Sequence, residues 1–310
     1  MNPPPHGPPL AIVGPTASGK SSLALALARC QPGWELVSVD SMQVYRGLDI
    51  GTAKPSPAER DEVPHHLLDV VEPHEEWSVA DLQLHLGEVR RDVAERGGRL
   101  LYVGGTGLYL RAAVDGLDLP GRWPQTRAAL EARAAVEGPR TLHRELASLD
   151  PQAAARVEPD NTRRIVRALE VVHGSGRTFS GYGPGLDRYP PVDVVQVGLR
   201  WERATLERRI AQRVHAMIEA GWCDEVRRTW SSQPPPSRTA EIAVGYREVA
   251  DHLAGHRTLE ATVEAIVVRT RQLAARQMRW FRRDPRIRWF DVADDPVAEV
   301  LPHLMELVRT

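Results

Sequence analysis

An eight-residue loop near the N-terminus constrains this chain more than any other feature. Residues 14–21 read GPTASGKS and match the phosphate-binding pattern G-x-x-x-x-G-K-[ST] at every fixed position. The loop follows an apolar run (LAIV, residues 10–13) and precedes residues 21–30, whose composition and apolar face predict a helix. This strand–loop–helix order predicts that backbone N–H groups at a helix N-terminus bind a phosphate.

We expect the whole loop to surround a di- or triphosphate. Its members are Gly14, Pro15, Thr16, Ala17, Ser18, Gly19, Lys20 and Ser21. Lys20 adds a point charge, and the Ser21 hydroxyl is a candidate Mg²⁺ ligand. The loop does not identify the phosphate compound, and ATP remains a candidate for it.

The elements after the loop predict an α/β fold, a P-loop doubly wound parallel sheet with a helical insertion domain. Further strands are predicted at 35–39, 99–103 and 194–199, and helices at 78–95 and 202–220. Residues 124–173 show only short helical patterns, and residues 174–191 are dense in Gly and Pro. We therefore expect the first part of the core at 1–115, the helical insertion at 116–193, and the second part of the core at 194–310.

Polar residues follow two of these strands. Asp40 ends the second strand, where an open α/β sheet places its ligands, and it is either a base or metal ligand or a cap of the next turn. Residues 41–55 (SMQVYRGLDIGTAKP) have no regular period and predict a functional loop. Gly104–Gly107 (GGTG) ends the next strand, where glycines allow a ligand to approach the backbone closely.

Two further groups carry weaker signals. The adjacent His65 and His66 have no evident third ligand, so zinc binding is disfavoured and they carry no assigned role. Asp69 is either an acid on the Mg²⁺ side of a nucleotide site or a structural residue.

Composition excludes several classes of protein. The chain has 310 residues, of which 42% are hydrophobic and 26% charged, so it is neither disordered nor a membrane protein. No apolar run approaches the ~20 residues that a membrane span needs. Two cysteines exclude a disulfide framework, and with no evident signal peptide we expect a cytoplasmic protein.

A local basic stretch is the candidate surface for a nucleic acid, because the net charge is only −1. Residues 269–288 contain eight Arg and one Asp, interleaved with Trp280 and Phe281. A cationic helix with aromatic residues suits phosphate contacts and base stacking. A solvated charged helix remains the alternative.

From the residues alone, two classes of enzyme compete. One is a small-molecule kinase that transfers phosphate from ATP, supported by the loop and by residues 203–213 (RATLERRIAQR). The other is a nucleic-acid-modifying enzyme that uses the same loop to hold a pyrophosphate. The functional loop and the basic stretch favour the second, because a metabolite kinase needs neither. A GTP-type switch is disfavoured, because no N-K-x-D segment is found.

The chain resembles the tRNA dimethylallyltransferases (isopentenyl-diphosphate:tRNA transferases). The matching segments run in order over most of the sequence: Gly14–Ser21, Asp40–Pro55, His65–Asp69, Gly104–Tyr109, Arg167–Val171, Gly245–Glu248 and Arg276–Phe281. The segment that begins at Asp40 is nearly diagnostic. The departures are small: Ser21 stands where many members have Thr, and Ala275 where a Lys is frequent.

The resemblance implies transfer of a dimethylallyl group from dimethylallyl diphosphate to N6 of the adenosine 3′-adjacent to the tRNA anticodon, with release of diphosphate. It implies Mg²⁺ as cofactor, and the partners we expect are the tRNA anticodon stem-loop and the prenyl diphosphate, with the protein a monomer. Asp40 would be the general base, and the other catalytic candidates are Thr16, Lys20, Thr106 and Arg213.

The resemblance also implies which residues contact tRNA. Asp40, Ser41, Met42, Gln43 and Thr106 would line the path of the target base. The others are Arg163, Arg164, Arg167, Ile242, Gly245, Tyr246, Arg247, Ala275, Arg276, Gln277, Arg279, Trp280 and Arg282. The helical insertion would grip the anticodon stem-loop.

Overall fold

A six-stranded parallel β-sheet organises the first of two units. A computed structural model describes residues 7–182, 185–186, 188–231 and 233–308. The strands are β1 (Leu10–Val13), β2 (Trp34–Ser38), β3 (His65–His66), β4 (Arg99–Gly104), β5 (Val195–Trp201) and β6 (Ile287–Val292). Their order across the sheet is β3-β2-β4-β1-β5-β6, and every pairing is parallel. The predicted α/β fold with a doubly wound parallel sheet is confirmed.

Helices connect the strands and form the second unit. They are α1 (Lys20–Cys30), α2 (Pro57–Glu62), α3 (Val79–Glu95), α4 (Gly107–Asp115), α5 (Pro124–Glu137), α6 (Pro139–Leu149), α7 (Pro151–Ala154), α8 (Thr162–Ser175), α9 (Arg203–Glu219), α10 (Trp222–Trp230), α11 (Tyr246–Leu253), α12 (Leu259–Phe281) and α13 (Pro296–Leu307). None of the helices in the described residues is long and apolar enough to cross a membrane.

The two units are separate in sequence and in their cores. The first comprises residues 1–115 and 190–310, and the second comprises residues 116–189. The chain thus returns to the first unit slightly before residue 194, where the sequence pattern placed the change.

Both faces of the sheet are covered. All four residues of β1 are inaccessible to solvent, and successive side chains of a strand point to opposite faces. One face packs against α1 and α13, through residues such as Leu23, Leu27 and Leu304. A sheet buried in this way leaves only its ends open, so the loops at the carboxyl ends of the strands hold the site.

The second unit is helical and has its own apolar core. Leu130, Leu142, Leu146, Ile165 and Leu169 are at most 3% exposed and pack together. They come from α5, α6 and α8, whose apolar residues recur at helical spacing. In the first unit, Arg286 contacts the Asp115 carboxylate at 2.7 Å and the Pro190 carbonyl at 2.8 Å, so one side chain holds both points where the chain leaves and re-enters that unit.

Two strands and one helix end differ from the sequence-based expectation. The sequence pattern predicts neither the two-residue β3 nor the edge strand β6. Residues 269–288 have the pattern of one basic helical stretch, which hides the start of β6 at Ile287. The helix α12 ends at Phe281, and Arg282 is its C-cap. Pro285 explains the early end, because proline disfavours helical backbone at the residue before it and lacks an N–H.

Candidate functional site

The loop between β1 and α1 has the backbone conformation of an anion-binding turn. Ala17 and Gly19 take the left-handed region, with φ of 63° and 84°, and Ser18 N–H donates to the Pro15 carbonyl at 3.3 Å. Gly19 is the N-cap of α1, and a Cβ there would lie 2.4 Å from Pro296 Cγ. The loop therefore directs N–H groups and the positive end of α1 toward one point.

Side chains from β5 and α9 brace this loop. The Trp201 indole N–H donates to the Ser18 carbonyl at 3.0 Å, and Arg209 Nε donates to the Ala17 carbonyl at the same distance. The Arg209 guanidinium also lies 4.2 Å from the centre of the Trp201 ring. Neither contact is predictable from the sequence, because both span about 190 residues of chain.

Lys20, Arg213 and Asp40 form the charged centre of the site. Burial and, to a smaller extent, the neighbouring Arg213 lower the pKa of Lys20 to about 8, although the Asp40 carboxylate opposes both effects. Burial also lowers the pKa of Arg213, again opposed by Asp40. Lys20 Nζ donates to the Pro15 carbonyl at 2.9 Å. Two cations held together out of bulk water favour binding of an anion.

The carboxyl ends of β2 and β4 bring four predicted residues together. Asp40 Oδ1 accepts the Met42 N–H at 2.8 Å, so this carboxylate does cap the following turn. Among the described residues only Oδ1 accepts a hydrogen bond, which leaves Oδ2 for a substrate. The Thr106 hydroxyl accepts the Ser41 N–H at 3.3 Å and lies 3.4 Å from the Ser41 hydroxyl. The sheet order explains this meeting, because β2 and β4 are adjacent.

Gln43 connects this edge of the sheet to residues 52 and 53, later in the functional loop. Its Oε1 accepts the Ser38 hydroxyl at 2.8 Å, and its Nε2 donates to the carbonyls of Thr52 and Ala53, each at 3.1 Å. Three hydrogen bonds fix the amide in one orientation.

A cavity of about 550 Å³ joins the phosphate-binding loop to these strand ends. Its polar lining includes Thr16, Lys20, Asp40, Gln43 and Arg213. Its apolar lining includes Leu25, Leu36, Ile50, Val103, Val214, Met217, Val244 and Leu273. A ligand with an anionic head and a short hydrocarbon tail matches this combination.

One face of α12 closes the cavity. Ile266, Thr270, Leu273 and Gln277 recur at helical spacing, and all four line the cavity. Gln277 Oε1 accepts the Thr16 N–H at 2.8 Å, so α12 contacts the phosphate-binding loop directly. Gln277, a predicted tRNA contact, thus points into the cavity, and its hydrogen bond joins residues 261 positions apart.

The flank of α12 beside this face is basic and exposed. Arg276 and Arg279 are exposed, as are Ala275 and Arg282. No carboxylate in the described part of the chain pairs with Arg276 or Arg279. Trp280 is half-buried against Gly107, where a Cβ would lie 1.9 Å from the indole Cδ1. Two exposed guanidinium groups without a carboxylate partner suit a polyanion.

The remaining predicted residues differ in accessibility. Ile242 and Arg247 are exposed in the first unit, and Arg163 and Arg164 are exposed in the second. Gly245 is buried, and a Cβ there would lie 2.1 Å from the Trp222 ring.

Arg167 and Tyr246 have internal partners. Arg167 donates to the carbonyls of Pro120 and Gly121 and pairs with the buried Glu170 at 3.0 Å. Tyr246 is completely buried, and its hydroxyl donates to Glu225 at 2.6 Å. The expectation that the Tyr246 side chain touches tRNA therefore does not match this structure. A sequence motif shows which residue type stands at a position, but it does not show whether the side chain is buried.

The weaker sequence signals also have structural partners. His66 Nε2 lies 2.6 Å from Glu35, and Asp69 lies 2.5 Å from both Lys54 and Arg60. In the described residues, no group of three or more His, Cys, Asp and Glu side chains is placed to hold a metal ion. The two ion pairs of Asp69 favour the structural role over the role of an acid beside Mg²⁺.

Comparisons with known proteins agree with these features. The IPP transferase family model matches residues 43–284, and an isopentenyl transferase model matches residues 10–72. The tRNA dimethylallyltransferase of Thermobifida fusca is 48% identical over 304 residues, covering 95% of this chain and 94% of the relative. That of Pseudarthrobacter chlorophenolicus is 47% identical over 287 residues, covering 93% and 94%.

Solved structures give the same result. The tRNA isopentenylpyrophosphate transferase of Bacillus halodurans has a TM-score of 0.68 and 38% identity, over 97% of this chain and 96% of that one. A eukaryotic dimethylallyltransferase acting on tRNA has a TM-score of 0.78 and 25% identity, over 96% and 78%.

Proposed function

Because the chain belongs to the IPP transferase family of tRNA dimethylallyltransferases, we propose that this cavity carries out the family's reaction. The enzyme transfers the dimethylallyl group of dimethylallyl diphosphate to N6 of the adenosine 3′-adjacent to the tRNA anticodon, and diphosphate leaves. The observation that carries the proposal is the cavity itself, which joins a phosphate-binding loop to an apolar wall and to Asp40.

The leaving group would lie in the phosphate-binding loop. The backbone of Thr16 to Ser21, the Lys20 ammonium and the Arg213 guanidinium would hold the negative charge that develops as the allylic carbon–oxygen bond breaks. The five-carbon tail would lie against the apolar lining that the sheet, α1 and α9 contribute, which excludes water from the reactive carbon.

Asp40 would remove the proton from the attacking amine. The exocyclic N6 of adenosine is a poor nucleophile, so a positioned base is needed. Asp40 Oδ2 accepts no hydrogen bond from the described residues, while Oδ1 fixes the carboxylate through Met42 N–H. The hydroxyls of Ser41 and Thr106, which lie 3.4 Å apart, would orient the base.

The donors around the loop fit Mg²⁺. This ion is held in many sites by one or two protein oxygens together with substrate phosphates and waters. Ser21 supplies a hydroxyl in the first turn of α1, directly after Lys20. When bound, Mg²⁺ would neutralise part of the diphosphate charge.

The tRNA would approach along the basic flank of α12, and the target base would leave its stack to enter the cavity. Arg276 and Arg279 would contact backbone phosphates. Further tRNA contacts are proposed for other residues of the same unit: Ile242, Arg247, Ala275 and Arg282. Arg163 and Arg164 of the helical unit are proposed as further phosphate contacts, so that this unit grips the anticodon stem-loop.

A transfer assay tests the proposal against the kinase alternative. We expect label from [¹⁴C]dimethylallyl diphosphate to appear in unmodified tRNA, and no label from [γ-³²P]ATP to appear in tRNA or in small alcohols. Stoichiometric transfer of γ-phosphate to any acceptor would support the kinase instead.

The double substitution Arg276→Ala with Arg279→Ala should weaken tRNA binding and make it less dependent on salt. Each lost phosphate contact lowers the slope of log K against log salt by about 0.7 to 0.9. Filter binding over a salt series measures both quantities. Arg29→Ala is the matched control, because Arg29 is exposed at the C-terminal end of α1, away from the carboxyl ends of the strands. A double variant with wild-type affinity and slope would place tRNA elsewhere.

Binding of dimethylallyl diphosphate in the absence of tRNA should weaken as the pH rises from 7 to 9. Because burial lowers the pKa of Lys20 to about 8, its ammonium is present at pH 7 and mostly lost at pH 9. The protonated fraction falls by about tenfold over this range, and affinity should fall by a similar factor at most. Lys20→Met keeps a side chain of similar length but has no proton to lose, so its profile should be flat. Parallel profiles for both proteins would mean that Lys20 does not titrate here.

A further inference from the structure

A buried carboxylate on α10 holds part of the cavity wall through the backbone. Glu225 is 2% exposed. Its Oε2 accepts the N–H groups of Asp49 and Ile50 at 2.9 and 2.6 Å, and its Oε1 accepts the Gly51 N–H at 3.1 Å. Three successive backbone donors thus converge on one side chain, which fixes the path of the loop at these residues.

Glu225 is itself fixed from the opposite side. The Tyr246 hydroxyl donates to Oε1 at 2.6 Å, and the Tyr246 ring stacks on Trp230 with centroids 5.1 Å apart. Burial and the nearby carboxylate raise the pKa of Tyr246 well above its usual value, so the hydroxyl keeps its proton and donates. No cation in the described residues pairs with Glu225. Four hydrogen bonds therefore compensate for the desolvation of its charge.

The loop held by Glu225 continues into the site. Residues 50–53 line the cavity, and the carbonyls of Thr52 and Ala53 hold the Gln43 amide at 3.1 Å each. Downstream, the buried ammonium of Lys54 donates to the Tyr45 carbonyl at 2.6 Å. The loop is thus anchored on both sides of the two carbonyls that orient Gln43.

We propose that Glu225, supported by Tyr246, is a positioning residue for the adenosine side of the cavity. It acts through Asp49–Gly51, which set the carbonyls of Thr52 and Ala53 and so the orientation of Gln43. The phosphate-binding loop has its own supports in Trp201, Arg209 and Gln277, none of which involves Glu225. The inference rests on the proposed function, because Gln43 is taken to contact the target base.

Two substitutions that remove this support should separate tRNA from prenyl diphosphate. Glu225→Gln places an amide against backbone donors, and Tyr246→Phe removes only the hydroxyl. We expect the KM for tRNA to rise by about tenfold in Glu225→Gln and by a few-fold in Tyr246→Phe. The Kd of dimethylallyl diphosphate, measured by calorimetry without tRNA, should stay at the wild-type value. Tyr102→Phe is the control, because Tyr102 is also buried and loses one bond, from Arg90 at 3.1 Å.

A third variant moves the loop while Glu225 stays intact. A Cβ at Gly51 would lie 2.4 Å from Trp222 Nε1 and 2.5 Å from Tyr246 Cε2. Both neighbours are rigid, buried rings, so the backbone has to shift in Gly51→Ala. We expect the same pattern, a raised KM for tRNA with unchanged binding of dimethylallyl diphosphate.

The KM for tRNA and the Kd of dimethylallyl diphosphate together decide the proposal. A raised KM for tRNA with an unchanged prenyl diphosphate Kd supports the proposal, and Tyr246→Phe and Gly51→Ala decide it if Glu225→Gln does not fold. A wild-type KM for tRNA in the folded variants overturns it. So does a loss of kcat in proportion to the unfolded fraction, which a merely structural role would give. Failure of the wild-type enzyme to prenylate tRNA would instead contradict the proposed function.

Discussion

Asp40→Asn is expected to slow prenyl transfer by about 10²–10⁴-fold, the usual effect of losing a general base. The amide oxygen can still accept the Met42 N–H that Asp40 Oδ1 accepts at 2.8 Å, so the turn should remain intact. What the amide cannot do is accept the proton from the exocyclic amine. The affinity for tRNA should therefore stay within about a few-fold of wild type, since the shape of the side chain is kept.

Asp40→Asn also changes the pKa of Lys20, so the experiment has to separate loss of the base from loss of charge on Lys20. The Asp40 carboxylate raises the pKa of Lys20, so its removal lowers that pKa and reduces the charge on Lys20 near neutral pH. Single-turnover rates measured from pH 6 to 8 with saturating dimethylallyl diphosphate distinguish the two causes. Loss of the base gives a deficit that persists at pH 6, where Lys20 is protonated. A deficit that disappears at pH 6, or a kcat above about a tenth of wild type, would leave Asp40 as a turn residue only.

Lys20→Ala is expected to weaken binding of dimethylallyl diphosphate and to lower kcat by about 10²–10³-fold, comparable to removal of one donor from an oxyanion site. The ammonium lies at the loop that would hold the leaving group, and Arg213 is close enough to lower its pKa. Arg213 alone would then have to stabilise the charge that develops on the diphosphate. Single-turnover kinetics with excess enzyme measure the chemical step, and calorimetry measures the Kd.

Lys20→Ala also removes a hydrogen bond within the loop, from Nζ to the Pro15 carbonyl. Trp201→Phe is the matched control, because it removes a different hydrogen bond to the loop, at the Ser18 carbonyl, without a change in charge. We expect this variant to have a much smaller kinetic effect. Equal losses in the two variants would mean that loop geometry, and not the charge of Lys20, supports the reaction.

Local patterns in the sequence predicted the parts of the site that depend on local structure. The loop at 14–21 needs only a strand, a turn and a helix in succession, and these lie within one short stretch of chain. The positions of Asp40 and Thr106 are predictable because each lies two residues after the end of a strand, and parallel strands end at the same edge of a sheet. The position of β2 beside β4 then brings the two residues together.

The supports of the site could not be predicted, because they are long-range contacts without a periodic signal. Gln277 reaches the phosphate-binding loop across 261 residues, and Glu225 reaches Ile50 across 175. The burial of individual side chains could not be predicted either. Tyr246 and Arg167 lie in the same motifs as exposed arginines, but the structure gives each an internal partner.

The most direct test of the central claim is mass spectrometry of nucleosides from unmodified tRNA incubated with the enzyme, Mg²⁺ and dimethylallyl diphosphate. Nuclease mapping of the same tRNA locates the product. We expect N6-isopentenyladenosine at the position 3′-adjacent to the anticodon, and its near absence with Asp40→Asn. Unchanged adenosine with the wild-type enzyme, or a prenyl group at another position, would contradict the proposed function.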